Sequence, residues 1–148
     1  MKSDTFKILL LPLILIFAIV SCSKKSEETF ENKINGKWEL VRMTGSFENT
    51  ETAGADMEWN ETYTFNANGT FAKTRTAAGV QSSATGKYSL FTDAQGVHYV
   101  QLEYDSASPL VGGCYSDVNE ELYFTADHLL SSTWRNCDGP GLDYRKIE

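Results

Sequence analysis

The feature that most constrains the fold of this chain is a two-residue alternation of side-chain types from Glu58 to Asn66. In an extended strand the members of one set share a face, and here they are Trp59, Glu61, Tyr63 and Phe65. Residues 66–70 fit a three-residue hairpin loop with Gly69 in the left-handed conformation. The loop predicts a second strand in which Phe71, Lys73 and Arg75 lie opposite Phe65, Tyr63 and Glu61, respectively.

Two more hairpins follow the same design. A loop ending in Gly96 joins residues 84–91 to residues 97–105, and its register pairs Leu90 with Val100, Tyr88 with Leu102 and Gly86 with Tyr104. A loop with His128 in the left-handed position joins residues 118–125 to residues 129–136 and pairs Phe124 with Leu130. With a first strand at 36–44 and a last strand at 142–147, these hairpins predict an all-β chain. The predicted fold is an eight-stranded antiparallel up-and-down β-barrel, which leaves no free edge.

The connections between the strands predict two different barrel ends. The second, fourth and sixth connections are tight, whereas the first, fifth and seventh, at residues 45–57, 106–117 and 137–141, are longer. Odd and even connections of an up-and-down barrel lie at opposite ends. We call the tight end the floor and the other end the mouth; the first strand begins at the floor.

The first strand opens with a G-x-W pair, Gly36 and Trp38. This pair resembles the opening of the lipocalins, and the short chain resembles the compact bacterial branch of that family. The resemblance covers residues 36–148 and implies that Trp38 closes the barrel floor. It also implies that a basic residue of the last strand lies across the indole, for which Arg145 is the candidate. The family's transport and sequestration roles imply that a small molecule is bound without catalysis.

The N-terminal 32 residues are predicted to target and anchor the protein. Lys2 and Lys7 form a positively charged segment before an apolar run at 8–20. The run has the length of a signal-peptide core and is shorter than the ~20 residues of a spanning helix. The run ends in a sequence that resembles a bacterial lipobox. We therefore expect a lipoprotein signal peptide at 1–21, lipidation of Cys22, a flexible tether at 22–32 and a barrel domain at 33–148.

Ser23 resembles the sorting signal of outer-membrane lipoproteins. We expect a lipoprotein held in the outer membrane of a Gram-negative cell envelope by its acyl chains. The sequence leaves open whether the barrel faces the periplasm or the cell exterior.

Cys114 and Cys137 remain once Cys22 is assigned to lipidation. They flank the third hairpin on its mouth side, and a pair of cysteines outside the cytoplasm is usually bonded. The ends of adjacent strands satisfy the ~4.4–6.8 Å between Cα atoms that a disulfide needs. We therefore predict a Cys114–Cys137 disulfide that holds the fifth and seventh connections together.

Inward-facing residues near the mouth are predicted to mix large aromatic and cationic side chains, as small-molecule pockets do. The candidate ligand-binding residues are Arg42, Trp59, Tyr63, Lys73, Arg75, Tyr88, Tyr104 and Trp134. The cations either receive an anionic head group or pair with Glu61 and stay solvated, and the sequence leaves both alternatives open.

Other classes of function lack support in the sequence. The chain of 148 residues has a net charge of −7 and no basic stripe, which argues against nucleic-acid binding. It has no phosphate-binding glycine loop, no G-x-S-x-G and no H-E-x-x-H, and His98 is interpreted as structural. We expect no catalytic residue, cofactor or metal.

The preferred hypothesis is a monomer that binds a small apolar or amphipathic ligand at the mouth. The alternative is a filled barrel that binds an envelope protein or a polysaccharide, or inhibits a hydrolase. Its long loops would then supply the contact residues, which are Phe47, Leu110, Val111 and Tyr115.

Overall fold

The computed structural model describes residues 29–45, 50–114 and 116–148. The predicted signal peptide, Cys22 and tether residues 22–28 lie outside this part of the chain, as do Phe47 and Tyr115. Helix α1 is Phe30–Ile34, and short 3₁₀ helices lie at Gly54–Asp56 and Thr133–Cys137. The strands are β1 Gly36–Thr44, β2 Thr52–Ala53, β3 Asn60–Phe65, β4 Thr70–Ala77, β5 Val80–Thr92, β6 His98–Tyr104, β7 Asn119–Phe124, β8 Leu130–Ser132 and β9 Gly141–Lys146.

The strands form a closed antiparallel barrel, which confirms the predicted fold class. Its order is β1-β3-β4-β5-β6-β7-β8-β9, and β9 pairs back onto β1. The two-residue strand β2 pairs with the mouth half of β1, beyond the point where β3 stops. Every long strand therefore reaches its neighbour in sequence through one connection, alternately at the floor and at the mouth.

The predicted hairpin registers are confirmed. Phe65 lies opposite Phe71, Leu90 lies opposite Val100, and Phe124 lies opposite Leu130. The three floor loops contain Gly69, Gly96 and His128 at φ values of 80°, 84° and 60°. Each loop therefore uses the left-handed residue that its length requires, and that residue fixes which side chains face inward.

Two connections at the mouth differ from the prediction. Strand β8 stops at Ser132, because the Ser132 side chain accepts the backbone N–H of Trp134 and begins a 3₁₀ helix. The predicted strand at 129–136 is therefore wrong beyond Ser132. Strand β5 begins at Val80 and not at the predicted residue 84, because the third connection is the two-residue turn Ala78-Gly79. Strands β4 and β5 therefore form a long hairpin whose tip is exposed.

The tether prediction is wrong for residues 30–32, which form most of α1. Ile34 at the end of this helix is 0% exposed, and its carbonyl oxygen accepts the Trp38 indole N–H at 2.8 Å. Phe30 packs edge-on against Phe124. Two apolar side chains on one helical turn thus suffice to hold the segment against the barrel floor.

The core runs along the barrel axis from floor to mouth. Its floor half is apolar and includes Trp38, Leu40, Phe65, Phe71, Val100, Leu122 and Leu130, each at most 2% exposed. Gly36 has a φ of 115°, and a Cβ there would overlap the carbonyl of Glu148. The first residue of β1 and Glu148 therefore meet at the floor.

Candidate functional site

A network of charged and phenolic side chains fills the mouth half of the barrel. We call it the ionic cluster; its members are Glu61, Tyr63, Lys73, Arg75, Tyr104, Glu120 and Tyr144. Lys73 lies at its centre and is 0% exposed. Its ammonium pairs with Glu61 at 3.0 Å and donates to Glu120 at 3.1 Å and to the backbone carbonyl of Leu110 at 2.7 Å.

Both buried carboxylates of the ionic cluster are fully hydrogen-bonded. Glu120 accepts the hydroxyls of Tyr63 at 2.7 Å and Tyr104 at 2.5 Å in addition to Lys73. Glu61 accepts the hydroxyl of Tyr144 at 2.6 Å and the Arg75 Nε–H at 2.5 Å. Two carboxylates thus face two cations, which is the balance that lets charges stay buried.

The three tyrosines of the cluster are held in the neutral form. Burial, and after it the nearby carboxylates, raises the pKa of Tyr63 and of Tyr144 well above the ordinary value of a phenol. The same two causes, in the same order, raise the pKa of Tyr104. These hydroxyls therefore remain hydrogen-bond donors to the carboxylates at every physiological pH.

The fifth connection closes the mouth over the cluster. Leu110 is 4% exposed, and its carbonyl is the one that Lys73 holds. Tyr63, Lys73 and Tyr104 are thus 0–4% exposed and already bonded to protein groups. They were predicted to face a ligand, and in this structure they fill the space that a ligand would need.

Trp59, Arg75 and Trp134 lie at the mouth, as predicted, but as packing residues. The Arg75 guanidinium lies over the Trp59 ring at 4.4 Å, and each side chain keeps one buried N–H, Arg75 Nη2 and Trp59 Nε1, without an acceptor. The Trp134 ring lies against Gly112 and against Gly139, and a Cβ at Gly139 would collide with it. Each aromatic ring is therefore half-buried against protein groups.

Arg42 was predicted to point into the mouth, and this is wrong. Strand β1 shifts register against β9 between Leu40 and Arg42. Such a bulge inserts one residue and reverses the side that the following side chains face. Arg42 consequently lies on the outer surface and pairs with Asp143 at 2.7 Å.

Tyr88 and Arg145 are also placed differently from the prediction. The Tyr88 hydroxyl lies 2.9 Å from the carbonyl oxygen of Asn66 and 3.0 Å from the side-chain amide of Asn35, beside the floor, so Tyr88 does not line the mouth. Arg145 is exposed and lies opposite Glu39, while Lys146 lies opposite Trp38. The cation–π contact predicted between Arg145 and Trp38 is therefore wrong, because the alternation of β9 turns Arg145 outward.

The predicted disulfide is present. Cys114 and Cys137 are bonded, with 5.7 Å between their Cα atoms. The bond joins the fifth connection to the 3₁₀ helix after β8. It therefore ties the closing loop to the barrel wall at the mouth.

An apolar groove lies on the outside of the floor, and the sequence did not predict it. We call it the floor groove; it has a volume of about 580 Å³. Its apolar wall consists of Phe30, Trp38, Val97 and Phe124. Trp38 and Phe124 meet edge-on with 5.5 Å between ring centroids, and Phe30 stacks on His98 at 4.5 Å.

The rim of the floor groove is basic. It includes Lys33, His98, His128 and Lys146, and no acidic residue lines it among the residues that the structure describes. Three of these side chains come from α1, β6 and β9, and His128 comes from the loop between β7 and β8. One sequence signal for the floor groove did exist: Phe30 is the one large apolar residue of the predicted tether. The other residues of the apolar wall come from segments far apart in the chain.

Comparison of the chain with models of known protein families, with characterised proteins and with solved structures gives no significant match. Over the described ranges, no helix is long and apolar enough to cross a bilayer. The same part of the chain contains no group of three or more His, Cys, Asp or Glu residues that could hold a metal ion.

Proposed function

We propose that this protein is a lipid-anchored, lipocalin-like lipoprotein of the cell envelope that binds a small amphipathic molecule without catalysis. The observation that carries the proposal is the floor groove. Its volume of about 580 Å³ falls within the ~300–1,000 Å³ typical of ligand pockets, and its wall is mainly aromatic. The proposal moves the binding site from the mouth to the floor.

The filled mouth supports this move. A ligand inside the barrel would have to displace Leu110 and separate Lys73 from two carboxylates at 3.0 and 3.1 Å. Leaving one such charge unpaired in the interior costs about 3–5 kcal/mol. A ligand in the floor groove breaks none of these contacts and covers Phe30 and Phe124, which are half-buried.

The place of the groove in the chain also fits a membrane-derived ligand. Cys22 precedes Thr29 by 7 residues, and the structure begins at Thr29 beside the groove. A chain of that length reaches at most about 25 Å. A lipidated Cys22 would therefore hold the floor groove close to the bilayer surface.

Photolabelling tests the proposal. The full chain, held in lipid nanodiscs, is irradiated with a single-chain amphiphile that carries a diazirine in its tail, and the labelled peptides are identified by mass spectrometry. We expect labels on Phe30, Trp38 and Phe124, which line the groove. Labelling confined to β3 and β4 residues at the mouth would contradict the proposal.

A matched pair of variants controls this experiment. Ala126 lies in a floor loop and lines the groove, whereas Ala94 lies in the neighbouring floor loop and does not. Both alanines are exposed. Ala126→Phe is expected to remove most of the label, and Ala94→Phe to leave it unchanged.

A second candidate function is favoured by the β4–β5 hairpin. Strand β5 pairs with β6 only from Gly86 onward, so the other edge of Val80–Ala84 has no strand partner in the described part of the chain. Val80 at its tip is 67% exposed. A free edge of this kind accepts an extended segment of another protein. Gln81→Pro would weaken such a complex without affecting ligand labelling.

A further inference from the structure

We propose that the floor groove selects amphiphiles with one acyl chain and an anionic head group, either a carboxylate or a phosphate. This inference rests on the proposed function and names the ligand class of the same site. The protein as a whole has a net charge of −7, whereas no carboxylate lines the groove among the described residues. A rim of this sign is complementary to an anion and repels a cation.

Lys146 is a fixed positive charge on this rim. Its ammonium donates to the carbonyls of Lys33 at 3.1 Å and Asn32 at 3.5 Å, at the C-terminal end of α1. An ammonium has three N–H donors, so one remains for a head group. The head group would thus meet a cation that is already held in position and loses little freedom on binding.

Lys33 adds a second charge that is not engaged elsewhere. Its side chain has no hydrogen bond or ion pair with the described residues, and it lines the same groove as Lys146. Two lysines beside an aromatic wall form the pattern that an anionic amphiphile needs, with cations for its head group and an apolar surface for its tail. The tail would lie along Phe30, Trp38 and Phe124.

His98 contributes to both the apolar wall and the rim of the floor groove. Its Nδ1 is hydrogen-bonded to the Thr92 hydroxyl at 2.8 Å, and its ring stacks on Phe30. The groove therefore combines a stacked apolar wall with nitrogen donors at its opening.

The test compares head groups on one tail. The full chain in nanodiscs of zwitterionic lipid is photolabelled with four probes that share a diazirine tail and carry a carboxylate, a phosphate, a hydroxyl or an amine. We expect half-maximal labelling of the groove peptides at about five- to tenfold lower concentration for the carboxylate or the phosphate than for the hydroxyl. The amine is expected to label most weakly. Whichever anion labels more strongly identifies the head group.

Variants test whether the rim lysines cause the preference. Lys33→Gln/Lys146→Gln is expected to bring the anionic probes to within about twofold of the hydroxyl probe, without reducing labelling by the hydroxyl probe itself. Lys37→Gln, at the same end of the barrel but outside the groove, is the control and is expected to keep the preference.

The outcomes separate the two proposals. Equal labelling of the groove by all four probes would overturn the head-group inference and leave the proposed function standing. Absence of label from the groove with every probe would overturn both. A preference for the anionic probes that survives Lys33→Gln/Lys146→Gln would also overturn the inference, because the selectivity would then have another cause.

Discussion

Lys73 is the residue whose surroundings decide what the barrel interior can do. It is 0% exposed and contacts two carboxylates and one carbonyl. The sequence predicted its register opposite Tyr63 correctly, because the alternation and the hairpin loop fix that register. The sequence did not reveal Glu120 as its partner, because Glu120 lies 47 residues away on a strand that only barrel closure brings near.

Lys73→Met is expected to lower the free energy of unfolding by about 3–5 kcal/mol, because Glu120 would be left charged without its cation. Chemical denaturation followed by tryptophan fluorescence measures this change. Lys87→Met, an exposed lysine on β5, is the control and is expected to change stability by less than about 0.5 kcal/mol.

A double variant separates charge from packing at this site. Lys73→Met/Glu120→Gln removes both charges, and we expect it to be more stable than Lys73→Met alone. If the double variant were less stable by the sum of the two single losses, the two side chains would not interact, and the ionic cluster would not be the cause.

The tyrosines of the cluster predict how stability depends on pH. Tyr63, Tyr104 and Tyr144 have raised pKa values in the folded state because of burial and the nearby carboxylates. Their contribution is complete below pH ~10, where the unfolded chain also keeps its phenols protonated, and is lost as the pH rises further. We therefore expect unfolding to become progressively easier above pH ~10.

Absorbance near 295 nm checks the alkaline prediction, since it reports phenolate. Fewer than the 7 tyrosines of the chain should ionise before the barrel unfolds. Tyr104→Phe should make the fall in stability above pH ~10 shallower. Ionisation of all 7 in a folded protein would contradict the placement of these three hydroxyls.

At the scale of strands and loops, the sequence predicted the hairpins but not the places where a strand departs from regular geometry. The pairing of Phe65 with Phe71 follows from the two-residue alternation of side chains and from the loop that contains Gly69. Both are local properties of the sequence. The bulge between Leu40 and Arg42 has no local signal, because Val41 suits either register. It arises where β1 must pair with β9 and β2 at once, which is a property of the closed sheet.

Of the contacts that join separate elements, the Cys114–Cys137 disulfide has the clearest expected effect on the free energy of unfolding. It joins residues 23 apart in sequence, and the chain-entropy model gives about 3 kcal/mol for a loop of this length. Cys114→Ser/Cys137→Ser should lower the free energy of unfolding by about that amount, measured by denaturation beside wild-type protein with and without a thiol reductant.

The control for this prediction is internal. Reductant should destabilise the wild-type protein and have no further effect on Cys114→Ser/Cys137→Ser. An unchanged free energy of unfolding in the double variant would mean that the mouth loop is held by Leu110 and Lys73 alone.

Considered as a whole, the molecule has a closed mouth and an open groove at its floor. The sequence predicted the barrel, its two ends and the bond between Cys114 and Cys137. It did not predict the apolar groove at the floor, because Phe30, Val97 and Phe124 lie on segments that meet only after the barrel closes. A pocket built from separate loops has no periodic signature to detect in advance.

The three tryptophans of the chain allow the central claim to be tested directly. Trp38 lines the floor groove, whereas Trp59 and Trp134 lie at the mouth. A bromine atom quenches only the indoles that it closely approaches. A fatty acid brominated along its chain therefore reports which end of the barrel it occupies. Trp59→Phe/Trp134→Phe leaves Trp38 as the emitter, and Trp38→Phe leaves the two at the mouth.

The decisive measurement is saturable quenching of these two variants by the brominated fatty acid, with the full chain in nanodiscs of unbrominated zwitterionic lipid. Ala126→Phe added to the Trp38-only protein controls for quenching from the bilayer itself. The structure predicts that Trp38 emission is quenched saturably, that Ala126→Phe removes this quenching, and that emission from the mouth is unchanged. Saturable quenching of Trp59 and Trp134 with Trp38 unaffected would contradict it.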